Sequence, residues 1–302
     1  MPITFPPITR RRFLGGSISI GVAHVFGRFA LGQTRPSVDP NRMVLISDLH
    51  IDEDLKHVER NTNMADNLTR VVAAIVALDP RPAAVLINGD AAHWFGHAAD
   101  YAAVVSILKP IREADIPIHL SMGNHDHRAN LWKAFPEEDQ SAKAVPDRQV
   151  TLIETPSADW YMLDTLLKTN GVPGMLGDAQ IGWLTKSLDA RPNRPAIVMT
   201  HHQPDLRPDP KGLIDTKALT DAISGRKQVK ALIYGHTHRW EYEKQADGMH
   251  WVNLPPTGYV FAKEKPSGWV DVAVADRGAT LQLFSLDEKH PQHLQKLALE
   301  WR

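Results

Sequence analysis

Five short polar clusters carry the residue types of a metal centre: Asp48-x-His50, Gly89-Asp90, Gly123-Asn124-His125-Asp126, His201-His202 and Gly235-His236-Thr237-His238. Carboxylate oxygen, amide oxygen and imidazole nitrogen together suit borderline divalent or trivalent ions such as Fe, Mn, Zn, Co or Ni. Thiolate is not on offer, because the 302 residues include fifteen histidines and no cysteine. The same absence removes disulfides, thiol nucleophiles and lipidated-cysteine anchors. Two metals about 3.5 to 4 Å apart are best held by a bridging carboxylate, and they lower the pKa of a shared water towards neutrality. One Asp-x-His or one Gly-Asp is commonplace. Five such blocks, each just after an apolar run, point to a dinuclear site.

The elements that must position these blocks alternate. Met43 to Ser47 reads as a buried strand after a linker over residues 33–42 rich in turn formers, Pro36, Asp39, Pro40 and Asn41 among them. Met64, Leu68, Val71, Val72, Ile75 and Leu78 recur at helical steps, giving a helix that ends before Pro80. Ala83 to Asn88 is the next strand, residues 98 to 114 a helix with a possible kink at Pro110, and Pro117 to Ser121 a third strand. Further strands are expected at 148–154, 159–164, 196–200 and 230–234, with a helix at 178–189. Alternation of strand and helix predicts parallel pairing, and ligands gather at the carboxyl ends of such strands. Trp240 to Glu243, His250 to Asn253, Trp269 to Val274 and Thr280 to Phe284 read instead as short antiparallel strands, so residues 43–302 form one α/β domain with a β-rich C-terminal part.

The order and spacing of the five blocks resemble the calcineurin-like metallophosphoesterase superfamily from Met43 to about Tyr259. Gly123-Asn124-His125-Asp126-His127-Arg128 is similar to the pattern of its class III cyclic-nucleotide and glycerophosphodiester phosphodiesterase branch. So are Tyr161 to Thr165 and Leu176-Gly177-Asp178-x-Gln180-x-x-Trp183-Leu184. The resemblance implies a four-layer sandwich, with two packed mixed β-sheets flanked by helices. It implies Asp90 as the bridging ligand, Asp48, His50 and His238 completing one metal, and Asn124, His201 and His236 the other. His236 and His238 are two apart and would face one way on an extended strand, so a turn after Gly235 must separate them. Gly123 and Gly235 are expected to let the backbone pass close to the metals. By the same resemblance His125 is a non-ligand histidine that protonates the leaving oxygen or stabilises phosphoryl charge, and Asp126 orients it or supports the site. Hydroxide shared between the metals would attack phosphorus in line.

Other residues are assigned by analogy or by default. Arg128 is a candidate phosphate ligand, set against a salt bridge. His202 either faces substrate or packs beside His201. His93 stands where purple acid phosphatases carry the tyrosine that ligates ferric iron, so a tyrosinate site cannot form; it either supports the centre or is structural. Tyr259, after the turn Pro255 to Gly258, lines a substrate wall or packs. His24, His57, His97, His119, His250, His290 and His293 have no motif context and default to structural roles. Residues 127–147 and 203–229 are the expected substrate-selecting loops.

At the N-terminus, Thr9-Arg10-Arg11-Arg12-Phe13-Leu14, a weak apolar run from Gly15 to Gly27 and Ala30-Leu31-Gly32 resemble a twin-arginine signal peptide over residues 1–32, cleaved before Gln33. The run is too short and polar to serve as a stable membrane anchor. The expected partners are therefore the twin-arginine export machinery and a small phosphoester, and the expected location is periplasmic or extracellular. Removing residues 1–32 takes the formal net charge from -1 to -5. No basic stripe offers itself to a phosphate polymer, so a nuclease is disfavoured and no nucleic acid is expected. Small phosphodiesters are the favoured substrates, a broad phosphomonoesterase is the alternative, and a catalytically idle metal- or partner-binding module is the alternative of another class.

Overall fold

In the first strand, β1 (Val38–Ile46), Met43, Val44, Leu45 and Ile46 are all buried although their side chains alternate in direction. Met43 and Leu45 pack towards a second sheet, whereas Val44 and Ile46 pack under helices. A strand apolar on both faces belongs in the middle of a layered α/β molecule. The computed structural model describes residues 37–138 and 144–302. The proposed signal, residues 1–32, lies outside them. The linker is shorter than the turn formers suggest, because Val38 and Asp39 already pair with Arg81 and Pro82 of β4, and a bulge between Asp39 and Met43 takes up Pro40 and Asn41.

After β1 come a small hairpin, β2 (Val58–Glu59) and β3 (Thr62–Asn63), and then α1 (Met64–Val76). Asn63 caps α1 through its side chain, which accepts from the backbone N–H of Asp66, and the stripe Met64, Leu68, Val71, Val72 and Ile75 is buried. Next are β4 (Arg81–Asn88), α2 (Ala98–Glu113), which runs past Pro110, β5 (Ile118–Ser121) and α3 (Arg128–Ala134). The chain continues through β6 (Thr151–Glu154), β7 (Asp159–Met162), α4 (Asp178–Asp189), β8 (Ala196–Met199), α5 (Thr216–Ile223) and β9 (Val229–Tyr234). Five strands close it: β10 (Glu241–Lys244), β11 (His250–Asn253), β12 (Gly268–Ala275), β13 (Gly278–Ser285) and β14 (Lys296–Glu300).

Two six-stranded mixed sheets result, ordered β14-β13-β12-β1-β4-β5 and β10-β11-β9-β8-β7-β6. In the first, β1, β4 and β5 run parallel and β12 to β14 antiparallel; in the second, β7, β8, β9 and β11 run parallel. Met43, Leu86, Trp160, Met199, Ile233 and Val272 belong to the core shared by the two sheets. The outer face of the first sheet carries α1, α2 and α3, and that of the second carries α4 and α5. The architecture is therefore helix, sheet, sheet, helix, as expected. Among the described residues no helix is long and apolar enough to cross a membrane.

Several elements depart from the sequence reading, the short β2–β3 hairpin and α3 among them. His250 to Asn253 pairs parallel with β9 on one side and antiparallel with β10 on the other, so the C-terminal part is not purely antiparallel. The two turns of α5 sit inside the expected loop 203–229, too short to show a period, and β14 is an edge strand of mostly exposed residues.

Candidate active site

The five blocks leave the carboxyl ends of β1, β4, β5, β8 and β9, so both sheets deliver their polar residues to one seam. The strands end abruptly: Asp48, His50, Asp90, His236 and His238 all have positive φ, between 50° and 66°. Left-handed backbone is unfavourable for these residue types and persists where surrounding structure over-determines it. Here the block backbones tie to one another, with His50 N–H donating to the Asp90 carbonyl at 3.0 Å and Gly235 N–H to the His201 carbonyl at 2.9 Å.

Asp48, His50 and His238 each present a ligand atom within 4.8 Å of the others, and Asp90, His201 and His236 form a second such group. Asp90 links the two. Its Oδ2 lies 3.2 Å from His201 Nε2 and 3.8 Å from His50 Nε2, while Oδ1 accepts the backbone N–H of His125 at 2.8 Å. Three of these histidines are oriented from behind by carbonyls, while His50 Nε2 faces His238 Nε2 at 3.1 Å. His238 Nδ1 faces the Tyr259 carbonyl at 2.6 Å, His201 Nδ1 that of Asn88 at 2.8 Å, and His236 Nε2 that of Lys211 at 2.9 Å. A carbonyl only accepts, so each of these nitrogens carries a proton, and the opposite nitrogen, turned to the seam, offers a lone pair whenever the ring is neutral. Asn124 Oδ1 is buried there with no hydrogen-bond partner.

Electrostatics agree with a cation site. Burial opposes ionisation, yet His238 and His201 hold Asp48 below the usual carboxylate range, and His201, His125 and His50 hold Asp90 well below it. Burial pulls His201 down, but Asp90 and Asp48 outweigh it and push its pKa up to about 10. Burial keeps His50 and His236 neutral, the latter at about 4. Without a metal, a proton on His201 thus supplies positive charge between two carboxylates. Orphaned amide oxygen, converging lone pairs and paired carboxylates fit borderline metals.

His125 is half-buried beside this cluster, with one ligand atom within 4.8 Å of those of His50 and Asp90. Its Nδ1 faces the Trp94 carbonyl at 3.0 Å, so Asp126 is not its orienter. Asp126 is buried instead under the blocks, where it accepts from Gly123 N–H at 2.9 Å, Tyr101 hydroxyl at 2.9 Å, and Ala91 and Ala92 N–H at 3.2 and 3.3 Å. It braces two loops, and among the described residues no hydrogen bond joins its side chain to a side chain of the cluster. Its pKa is raised to about 6 by burial and by Asp90.

For two candidate substrate contacts the alternative reading is the one seen. Arg128 is held by Asp164 in a bidentate pair at 2.6 and 2.8 Å and by the Leu166 carbonyl, leaving its fork committed to a fully buried carboxylate. His202 is fully buried with both ring nitrogens occupied, by Thr165 hydroxyl at 2.7 Å and the Val172 carbonyl at 3.0 Å. Tyr259 packs, its ring 4.9 Å from those of His50 and His238, and its carbonyl matters more than its hydroxyl. His93 lies outside the cluster, paired with Asp52 and Glu59.

Gly123 and Gly235 permit close approach to the carboxylates. A Cβ on Gly123 would stand 2.1 Å from Asp90 Oδ1, and one on Gly235 2.7 Å from Asp48 Oδ2. Gly123→Ala is therefore expected to lower metal affinity and kcat/KM together, by at least the roughly 10–100-fold that a lost supporting contact costs. Gly182→Ala, whose methyl meets nothing within 4 Å, should leave both unchanged in the same metal titration and assay.

Asp205 has no motif context, yet it supports the centre at one remove. It accepts the N–H groups of Lys211 and Gly212 at 2.8 and 3.1 Å and so fixes the loop whose Lys211 carbonyl orients His236. The Arg207 guanidinium, against the cost of burial, and with backbone donors added, holds the Asp205 carboxyl below the usual range. A depressed carboxyl stabilises the fold above its unfolded pKa near 4 and loses that contribution as pH falls through its folded value. Wild type is expected to melt higher than Asp205→Asn at neutral pH, with the gap closing as melts are run below about pH 4.

The sequence profile of the calcineurin-like phosphoesterases matches residues 42–240. The 3′,5′-cyclic adenosine monophosphate phosphodiesterase CpdA of Pseudomonas aeruginosa is 26% identical over 225 residues, covering 73% of this chain and 77% of that protein. A protein of Arcobacter nitrofigilis named "Probable glycerophosphodiester phosphodiesterase GpdQ" is 27% identical over 208 residues, 65% of this chain and 71% of that one. Among solved structures, a dimetal phosphatase from Danio rerio superposes with a TM-score of 0.69 at 16% identity, over 87% of this chain and all of that one. Purple acid phosphatase from yellow lupin does so at 0.62 and 16%, over 86% and 53%. At these identities the structural likeness speaks for the fold.

Proposed function

The chain belongs to the calcineurin-like phosphoesterase family of metal-dependent phosphoester hydrolases, and from that premise we propose that it is an exported phosphodiesterase that cleaves small phosphodiesters at a two-metal site. The observation that carries the two-metal reading is Asp90, whose Oδ2 stands between His201 and His50 and so between the two ligand groups. Asp48, His50 and His238 would hold one ion, and Asn124, His201 and His236 the other. When bound, such a pair would supply Lewis-acid charge for the transferring phosphoryl group and would acidify bound water.

The chain's own residues do the rest. His125, fixed through Nδ1 by the Trp94 carbonyl, has Nε2 free to hold a proton for the departing alkoxide. Its backbone N–H keeps Asp90 in place while the side chain works, so one residue serves both orientation and proton transfer. Left-handed backbone at five ligands pre-sets the donors, which spares reorganisation during the reaction.

The preference for diesters is supported by the phosphodiesterase names of the relatives and by residues 123–128. The test is elemental analysis of protein lacking residues 1–32, run beside assays with bis(p-nitrophenyl) phosphate and p-nitrophenyl phosphate. Two metals with diester preference are expected. Monoester preference would make the protein a phosphatase, and metal without turnover would make it a binding module. Export through the twin-arginine route, supported by residues 9–32, predicts that Arg10→Lys with Arg11→Lys leaves the protein in the cytoplasm, as fractionation of cells would reveal.

A further inference from the structure

A second group of metal-ligand type lies outside the active site and shares no donor with it. Asp52, His57 and His93 each present a ligand atom within 4.8 Å of the others. Asp52 follows the first polar block, His57 precedes β2, and His93 follows Asp90 by three residues, so two separate loops supply the donors. Asp52 Oδ1 is already used by the N–H of Asp54 at 2.8 Å, which leaves Oδ2, 3.1 Å from His93 Nδ1, turned to the histidines. The His57 and His93 rings lie 4.8 Å apart. Behind His93, Glu59 receives Nε2 at 2.9 Å. That is the arrangement in which a carboxylate takes one imidazole N–H and leaves the opposite nitrogen basic for a metal. The backbone also locates His93, whose N–H donates to the Ile51 carbonyl at 3.0 Å.

We infer that Asp52, His57 and His93 form a further binding site for one borderline divalent cation such as zinc, with Glu59 orienting His93. Two imidazoles and one carboxylate are a three-ligand zinc set with a fourth position left for water. The set is partly accessible: the His93 side chain is 11% exposed and that of Asp52 23%, enough for an ion to enter. A cation here would staple the loop after β1 to the turn at residues 93–96. Trp94, whose carbonyl holds His125, sits on that turn, so the ion would stiffen the support of the proposed proton donor without touching it. An ion pair of His93 with its two carboxylates alone gives no role to His57, which points into the group without being needed for charge balance.

The inference is independent of the two-metal reading, and the experiment separates them. Protein stripped with a chelator is titrated with zinc against a chromogenic competitor, and bound metal is counted by elemental analysis after desalting. Wild type is expected to hold one more equivalent than His57→Ala. Among the described residues no hydrogen bond to the His57 side chain ties it to the fold, so its loss should leave the melting temperature of the metal-free protein unchanged. His93→Ala should lose the same equivalent. In Asp90→Ala the His57-dependent equivalent should persist, which would support this site whatever happens at the active centre. Equal stoichiometry in wild type and His57→Ala overturns the inference.

Discussion

Asp90→Ala is expected to lose metal and activity together, by more than the roughly 10–100-fold that removal of a supporting residue costs. Asp90 faces both ligand groups, with Oδ2 3.2 Å from His201 and 3.8 Å from His50. Truncation also frees the backbone N–H of His125, which donates to Oδ1 at 2.8 Å, so the third block loses its attachment to the second. A further consequence concerns protons. Asp90 and Asp48 together push His201 up to about 10, so metal loading at neutral pH must displace a proton. Without Asp90 that pKa should fall back, and the number of protons released per metal should drop. Calorimetry in buffers of different ionisation enthalpy would measure it, and a variant with two tightly held metals and full rate would exclude the bridging role. Asp90→Asn keeps an acceptor for His125 and separates the charge from the hydrogen bond.

His125→Ala is expected to keep its metals and lose rate in proportion to the difficulty of the leaving group. General-acid assistance contributes about 10²–10⁴-fold, and the fall should approach the upper figure for an alkyl alcohol and nearly vanish for p-nitrophenolate. The geometry motivates this split. The side chain is half-buried at the edge of the cluster, and its Nδ1 proton is committed to the Trp94 carbonyl, so Nε2 faces the reaction. A uniform loss across leaving groups would assign His125 to charge stabilisation instead.

Much of this could be read from residue types because the side chains concerned are few and unusual. The apolar run of β1, the periodic α1 and the 178–189 helix announce themselves, and the polar blocks fall where parallel strands must end. What supports the ligands is less visible. Three histidines are set by carbonyls of Asn88, Lys211 and Tyr259, and since every residue owns a backbone carbonyl, composition cannot single these out. Adjacency misled at Asp126: the neighbour of His125 braces loops from below, while the true orienter, Trp94, lies 31 positions back. For Arg128 the motif leaves phosphate binding and a salt bridge both open, and the partner that decides between them, Asp164, lies 36 residues on. Each of these cases involves a long-range partner, which a local motif does not encode.

The division of ligands between the sheets bears on when the centre can exist during synthesis. Asp48, Asp90 and Asn124 follow strands of the first sheet, whereas His201, His236 and His238 follow β8 and β9 of the second. A nascent chain stopped before Ala196 would own three oxygen donors and His50, but none of the imidazoles that complete the pairs. Metal capture therefore waits for nearly the entire polypeptide, and for the docking of one sheet on the other. Bound metal would then mark a chain whose two sheets have docked, an order of events in keeping with the export of folded protein proposed above.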